Sequence, residues 1–146
     1  MSIFPTKILL ATDGSAQAQL AATTGADLAQ RTASELHVVT VGAGVPISAT
    51  TSPAHFEDVL REHRRQAQEV LEQQVKSIEE SGAAVNETHL REGRAAEEIV
   101  ELAEEIGAGL IVMGSRGHGR LRRALMGSIS DAVVRHAHCP VTIVRE

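Results

Sequence analysis

Aromatic residues are almost missing from this chain, which has two Phe, no Trp and no Tyr among 146 residues. A core without rings must be packed from Val, Ile, Leu and Ala. There is also no platform on which the bases of a single-stranded nucleic acid would stack. Cysteine is equally scarce: a lone Cys139 excludes an intrachain disulfide and fits a reducing compartment. An excess of positive charge is lacking too. Fourteen Lys and Arg against 19 Asp and Glu leave a net charge of −5, which argues against a nucleic-acid partner. No window approaches the roughly 20 apolar residues that span a bilayer. The opening MSIFPTKILLATDG holds only a short apolar run and no small-residue cleavage pattern. The expectation is a soluble cytoplasmic protein, with residues 1–146 forming a single domain and a sizeable core.

What the chain does contain is a strict alternation of patterns. KILLAT, Lys7 to Thr12, is apolar on both faces and suits a buried parallel strand, stopped by Asp13-Gly14. Ser15 can cap a helix whose inner face carries Ala18, Ala21, Ala22, Gly25, Leu28 and Ala29, small enough to lie close to a sheet. ELHVVTVGAG is a second strand, and the aperiodic VPISATTSPAH is a connection. A long amphipathic helix follows from Phe56 to Gly82, with Ala67, Leu71, Gln74 and Ile78 among its inward positions. AAVNETHLREG is the third strand. RAAEEIVELAEEIGAG is a helix that buries Ala96, Ile99, Val100, Ala103 and Ile106 and closes at Gly107. LIVMG, a helix from Ser128 to His136, and PVTIVRE complete a β-α-β-α-β-α-β-α-β order. Such alternation predicts an α/β fold, an open parallel sheet with helices on both faces.

In open sheets of this kind a ligand binds outside the carboxyl ends of the strands. Three loops would converge there: ATDGS with Thr12 and Asp13, TVGAG with Val41, and MGSRGHG with Met113, Gly114 and Ser115. The last belongs to Val112–Ser130, a stretch with four glycines and four arginines. Gly114, Gly117 and Gly119 can take positive φ and bring backbone amides to an anion. Ser128, at or near the start of a new helix, adds the partial positive charge of a helix N-terminus. Arg116, Arg120, Arg122 and Arg123 surround the loop, and His118 within it can donate to a phosphate. A purely geometric turn with solvated arginines is the alternative. Other phosphate motifs fail. There is no G-x-x-x-x-G-K-[ST] string, and only Gly14 stands where a dinucleotide fingerprint would begin. The acidic cluster of a phospho-acceptor domain is missing beside Asp13.

Gly114-x2-Gly117-x9-Gly127-Ser128 resembles the G-x2-G-x9-G-[ST] signature of the ATP-binding branch of the universal stress protein family. KILLATDGS, LIVMGSRGHG and HCPVTIVRE are similar to that family's opening strand, loop entry and closing strand, so the resemblance spans the chain. It implies a five-stranded parallel sheet of order 3-2-1-4-5, like that of the adenine nucleotide alpha hydrolases, and a homodimer. It also implies an adenine-nucleotide cofactor, ATP with Mg²⁺ where carboxylate and phosphate meet. On this resemblance Asp13 faces the ribose and Val41 contacts adenine through its main chain. Met113 and Gly114 flank the sugar and α-phosphate. Gly117, Gly127, Ser128 and Ile129 hold the phosphates, and Ser130 belongs to the same anion cluster. The segment from Val45 to His55 matches nothing in the family pattern, and no family role attaches to Arg120, Arg122 and Arg123.

Other residues are set aside. HAHC, His136 to Cys139, lacks the second half of a zinc motif, so no metal ligand is assigned. Nothing marks Cys139 as activated. His37, His55, His63 and His89 are taken as element or connection surface, and Asp131 as a helix-dipole partner. Hydrolysis needs a positioned water and charge compensation. No Gln, Glu or Asp is evidently placed to orient that water, so no catalytic residue is assigned. The favoured function is a nucleotide-binding stress-response regulator that acts on an unidentified protein partner. A slow ATP hydrolase and a nucleotide-independent dimeric interaction protein are the alternatives. Antiparallel pairing of Val141 to Val144 across a two-fold axis would cover a terminal apolar edge.

Overall fold

The computed structural model describes residues 1–44, 52–115 and 127–145. Its elements are β1 (Lys7–Ala11), α1 (Ala16–Thr32), β2 (Glu35–Gly42), α2 (Pro53–Glu80), β3 (Glu87–Glu92), α3 (Ala95–Ile106), β4 (Leu110–Gly114), α4 (Ser128–His136) and β5 (Val141–Val144). All neighbouring strands run parallel, in the order β3-β2-β1-β4-β5. Both the fold class and the strand order agree with expectation.

The apolar run of β1 places it at the centre of the sheet. Ile8, Leu9 and Leu10 have no exposed surface, and burying each contributes about 1.5–3 kcal/mol. Alternation sends Ile8 and Leu10 into a cluster with Ala21, Ala22 and Ala26 of α1 and Leu71 and Ile78 of α2. Leu9 joins Ile99, Leu102 and Ala103 of α3 and Val133 of α4 on the opposite face. The sheet therefore has one hydrophobic layer on each side.

Local chemistry sets the element ends. The Ser15 hydroxyl caps α1 by accepting from the Ala18 amide at 3.1 Å. Ala26 takes the place assigned to Leu28 on the buried face of α1, with Leu28 only partly buried. In α3, Leu102 is buried beside Ile99 and Ala103, while Ala96, Val100 and Ile106 pack at its margin. Gly107 ends that helix in the left-handed conformation at φ 71°.

The pattern predicts connection from Val45 to His55, but α2 begins within it. Ser52 is the N-cap, accepting from the His55 amide at 3.1 Å, and Pro53 opens the helix. Proline is well placed there, because the first helical residue has no intrahelical use for an amide proton and needs the φ that proline fixes. Residues 45–51 lie outside the described residues. The third strand is shorter than AAVNETHLREG. Asn86 precedes it, donating its amide to the Leu36 carbonyl at 2.8 Å while its side chain accepts from the Leu36 amide at 2.9 Å.

Candidate functional site

The strand order reverses direction at β1: its chain leaves toward β2 on one side, and β4 lies on the other. Leu10 is in register with Val112, so two residues further along Thr12 and Gly114 stand abreast at the carboxyl edge. The crevice at this reversal is where the topology alone would put a ligand.

On the β1 side, Thr12 is buried, and its hydroxyl donates to Gln74 Oε1 at 2.7 Å and accepts from the Gly14 amide at 3.2 Å. Gln74 Nε2 in turn donates to Gln19 Oε1 at 3.0 Å, tying the loop to both α1 and α2. Thr12 thus shapes the loop through its side chain. Gln74 went unrecognised as a functional support, although a glutamine in an otherwise apolar stripe was its signal. The Asp13 carboxylate accepts from the Ser15 amide at 3.0 Å, and Gly14 turns the chain at φ 80°, where only glycine is unstrained.

On the β4 side, the Met113 side chain is buried in the α3–α4 layer. Gly114 does not take positive φ; its missing side chain serves a close approach instead. A Cβ there would lie 2.9 Å from the Gln17 carbonyl carbon in the first turn of α1. The Ser115 amide donates to the Val144 carbonyl at 3.0 Å, extending the β4–β5 ladder by one bond. Val41, near the end of β2, is half-buried against the α3–α4 layer.

The start of α4 is assembled on Ser115. The N-cap is Gly127, with Ser128 the first helical residue. Gly127 is not a free donor, because its amide gives a 2.7 Å hydrogen bond to the Ser115 carbonyl. Ser130, expected in the anion cluster, is buried, and its hydroxyl lies 2.7 Å from the Ser115 carbonyl and 3.0 Å from that of Gly127. The first intrahelical bond runs from the Asp131 amide to the Gly127 carbonyl. The amides of Ser128, Ile129 and Ser130 therefore precede the helical ladder, and a glycine N-cap supplies no side chain to cap them. Ser128 and Ile129 are exposed at this end. Asp131 pairs with Arg135 at 2.9 Å within α4. Gly117, His118, Gly119, Arg116, Arg120, Arg122 and Arg123 lie outside the described residues.

The histidines divide unexpectedly. His55 is exposed and His63 half-buried, but His37 is only 2% exposed and stacks on His89 with ring centroids 5.5 Å apart. The reading of His37 as strand surface is corrected: the parity that buries Val39 buries His37 two residues earlier. Burial, with His37 second, holds His89 below the ordinary histidine range, favouring the neutral imidazole. Burial likewise pushes the Cys139 thiol up, which opposes a nucleophilic role.

A crevice at the reversal point, with a glycine-initiated helix and a separate acidic turn after β1, accompanies a family-level match over nearly the whole chain. The universal stress protein family model covers residues 5–145. This chain belongs to that family. A universal stress protein of Methanocaldococcus jannaschii is 35% identical over 140 residues, a match covering 96% of this chain and 82% of its own. The structure of a universal stress protein, UspA, from Lactobacillus plantarum superposes with a TM-score of 0.82 at 28% identity, covering 99% and 100% of the two chains. A universal stress protein from Archaeoglobus fulgidus, solved in complex with dAMP, superposes with a TM-score of 0.66 at 26% identity, covering 98% of this chain and 99% of that one.

Proposed function

We propose that this universal stress protein binds an adenine nucleotide, with ATP as its principal ligand, in the crevice between the ends of β1 and β4. The observation that carries this reading is the start of α4. The amides of Ser128, Ile129 and Ser130 stand before the helical ladder, with no cap from the Gly127 N-cap, on the carboxyl side of the sheet. Such a terminus combines free donors with positive potential and suits phosphate oxygens. The dAMP complex of the Archaeoglobus relative supports adenine-nucleotide chemistry in this family.

The residues divide the ligand between them. Asp13 meets ribose hydroxyls, for which an acceptor-only carboxylate is suited. Val41 offers main-chain groups to adenine. Met113, Gly114 and Ser115 line the sugar and α-phosphate side by their backbone. The amides of Ser128 and Ile129 take the phosphates, and Gly127 contributes the space that a side chain would fill. Gly117 and His118 complete the loop in this assignment. Mg²⁺ neutralises the polyphosphate when it is bound.

The bound nucleotide acts as a signal in the cytoplasm, altering what a homodimer recognises. β5 supplies the dimer edge: it ends the sheet order, and its outer side has no neighbouring strand among the described residues. Isothermal titration of the full chain with ATP, ADP and AMP in the presence of Mg²⁺ tests the binding claim. Saturable 1:1 binding of ATP, weakened at least tenfold by Gly117→Val in a folded variant, is expected. Absence of heat for every adenine nucleotide overturns it. Sedimentation of a monomer at micromolar concentration overturns the dimer.

A further inference from the structure

A second cluster of chemistry-bearing residues lies away from the crevice, at the opposite edge of the sheet. His37 on β2 and Glu87 and His89 on β3 bring one ligand atom each within 4.8 Å of one another. His37 Nδ1 is 3.2 Å from His89 Nε2 and 3.5 Å from Glu87 Oε2, and His89 Nε2 is 3.7 Å from the same oxygen. Donors held about 2.0–2.1 Å from a zinc ion at tetrahedral angles are separated by about 3.3–3.4 Å. The three atoms therefore trace the face of a coordination tetrahedron, with a fourth position left for water. We infer that His37, Glu87 and His89 bind a divalent transition metal of the zinc class, independently of the nucleotide crevice.

Further observations support the assignment. His37 is buried almost completely, so its ring is fixed by packing. Its other nitrogen, Nε2, lies 3.4 Å from Glu35 Oε1. A metal-bound imidazole commonly donates its second N–H to a carboxylate, which fixes the tautomer and leaves the ligating lone pair directed at the ion. Charge also fits. Arg91, the nearby cation on β3, is paired with Glu98 and Glu105 of α3, so Glu35 and Glu87 remain to balance a dication around two imidazoles. Entry is open, since β3 is the edge strand and the Glu87 side chain is 63% exposed. Parity explains the assembly. His37, Val39 and the in-register pairs His37–Glu87 and Val39–His89 put all three ligands on one face of two adjacent strands.

The test is a Zn²⁺ titration of nucleotide-free full-length protein against a chelating indicator, with stoichiometry read by native mass spectrometry and geometry by Co²⁺ absorption. One zinc per chain and a tetrahedral Co²⁺ spectrum are expected. Glu87→Gln and His89→Gln each weaken binding by about 100-fold, and Glu35→Gln by about tenfold, as an orienting partner should. Glu87 is exposed enough that Glu87→Gln keeps the test valid if His89→Gln fails to fold. A simple hydrogen bond between the two rings predicts no zinc affinity, and that result overturns the inference. Unchanged affinity in Glu87→Gln overturns it, as does loss of zinc only in His138→Gln, which would move the ion to the exposed turn before β5. None of these outcomes depends on whether the crevice binds ATP.

Discussion

Gly25 and Gly114 should respond to the same substitution with opposite sign. Gly25 lies on the buried face of α1, where a small residue lets the helix approach the sheet. Yet a Cβ added there meets Leu36 Cδ1 and Val112 Cβ and Cγ1 no closer than 3.8 Å, ordinary van der Waals contact. Replacing glycine by alanine inside a helix favours folding by about 0.8–1 kcal/mol through backbone entropy. Gly25→Ala should therefore stabilise the protein by about 1 kcal/mol, raising Tm by about 2–4 °C for a chain of this size. Gly114 is different. Its Cβ would lie 2.9 Å from the Gln17 carbonyl carbon and 3.0 Å from the Gln17 oxygen. Those are backbone atoms of a helix start held by the Ser15 cap, so no rotamer change relieves the contact. Overpacking of this kind costs about 1–3 kcal/mol. Gly114→Ala should thus fall about 2–4 kcal/mol below Gly25→Ala.

Urea unfolding followed by far-ultraviolet circular dichroism measures both; the chain has no Trp or Tyr to report by fluorescence. The midpoint should move in opposite directions with the slope unchanged. Gly114→Ala as stable as wild type would refute the idea that close approach to α1, rather than ligand contact alone, requires a glycine at that strand end. A loss above about 1 kcal/mol in Gly25→Ala would show that the helix–sheet spacing is tighter than 3.8 Å contacts indicate.

Ser130→Ala should lower stability by about 0.5–1 kcal/mol, the lower part of the usual range, because the Ser115 carbonyl keeps its bond from the Gly127 amide. ATP affinity should change less than threefold if the hydroxyl is a structural tie; a loss above tenfold in titration calorimetry would make it a phosphate ligand. Cys139, raised in pKa by burial, should be a thiol rather than a thiolate at neutral pH. Its alkylation should be slower than that of free cysteine at pH 7.5, with the rate rising at a pH above the free thiol's usual pKa of about 8.5. Faster labelling than free cysteine in a timed mass-spectrometric assay would contradict this.

The frame of the molecule was legible because its signals are strong and local. KILLA is apolar on both faces, and only a central strand buries both. Ser15 and Gly107 mark helix ends by chemistry that acts within one turn. The candidate crevice was legible for a similar reason: strand ends and glycine loops can be located before any side chain is placed. What escaped was pairing across distance. Nothing adjacent to His37 in sequence announces that a parallel register will set it beside Glu87 and one pair below His89. Gln74 reaches Thr12 across 62 residues, and the Ser130 hydroxyl reaches the Ser115 carbonyl across 15. The start of α2 is hidden by composition, because Ser52-Pro53 reads as loop punctuation where it is also a capping pair.

The bond from Gly127 to Ser115 bears on the proposed anion site. A helix start that must be ordered by its ligand loses affinity to the entropy of ordering. Here Ser115 and Gly127, which flank residues 116–126, are hydrogen-bonded to each other. The Gly127 amide and the Ser130 hydroxyl both bind the Ser115 carbonyl, and Ser115 is itself held to β5 through the Val144 carbonyl. The first turn of α4 is thereby fixed to the edge of the sheet by two backbone bonds and one from the Ser130 side chain. Using one amide for that attachment sets the direction of the Ser128 and Ile129 amides that follow it at the helix start. In the proposed nucleotide site, phosphate would therefore meet a helix start already tied to the sheet edge, which lowers the ordering cost of binding.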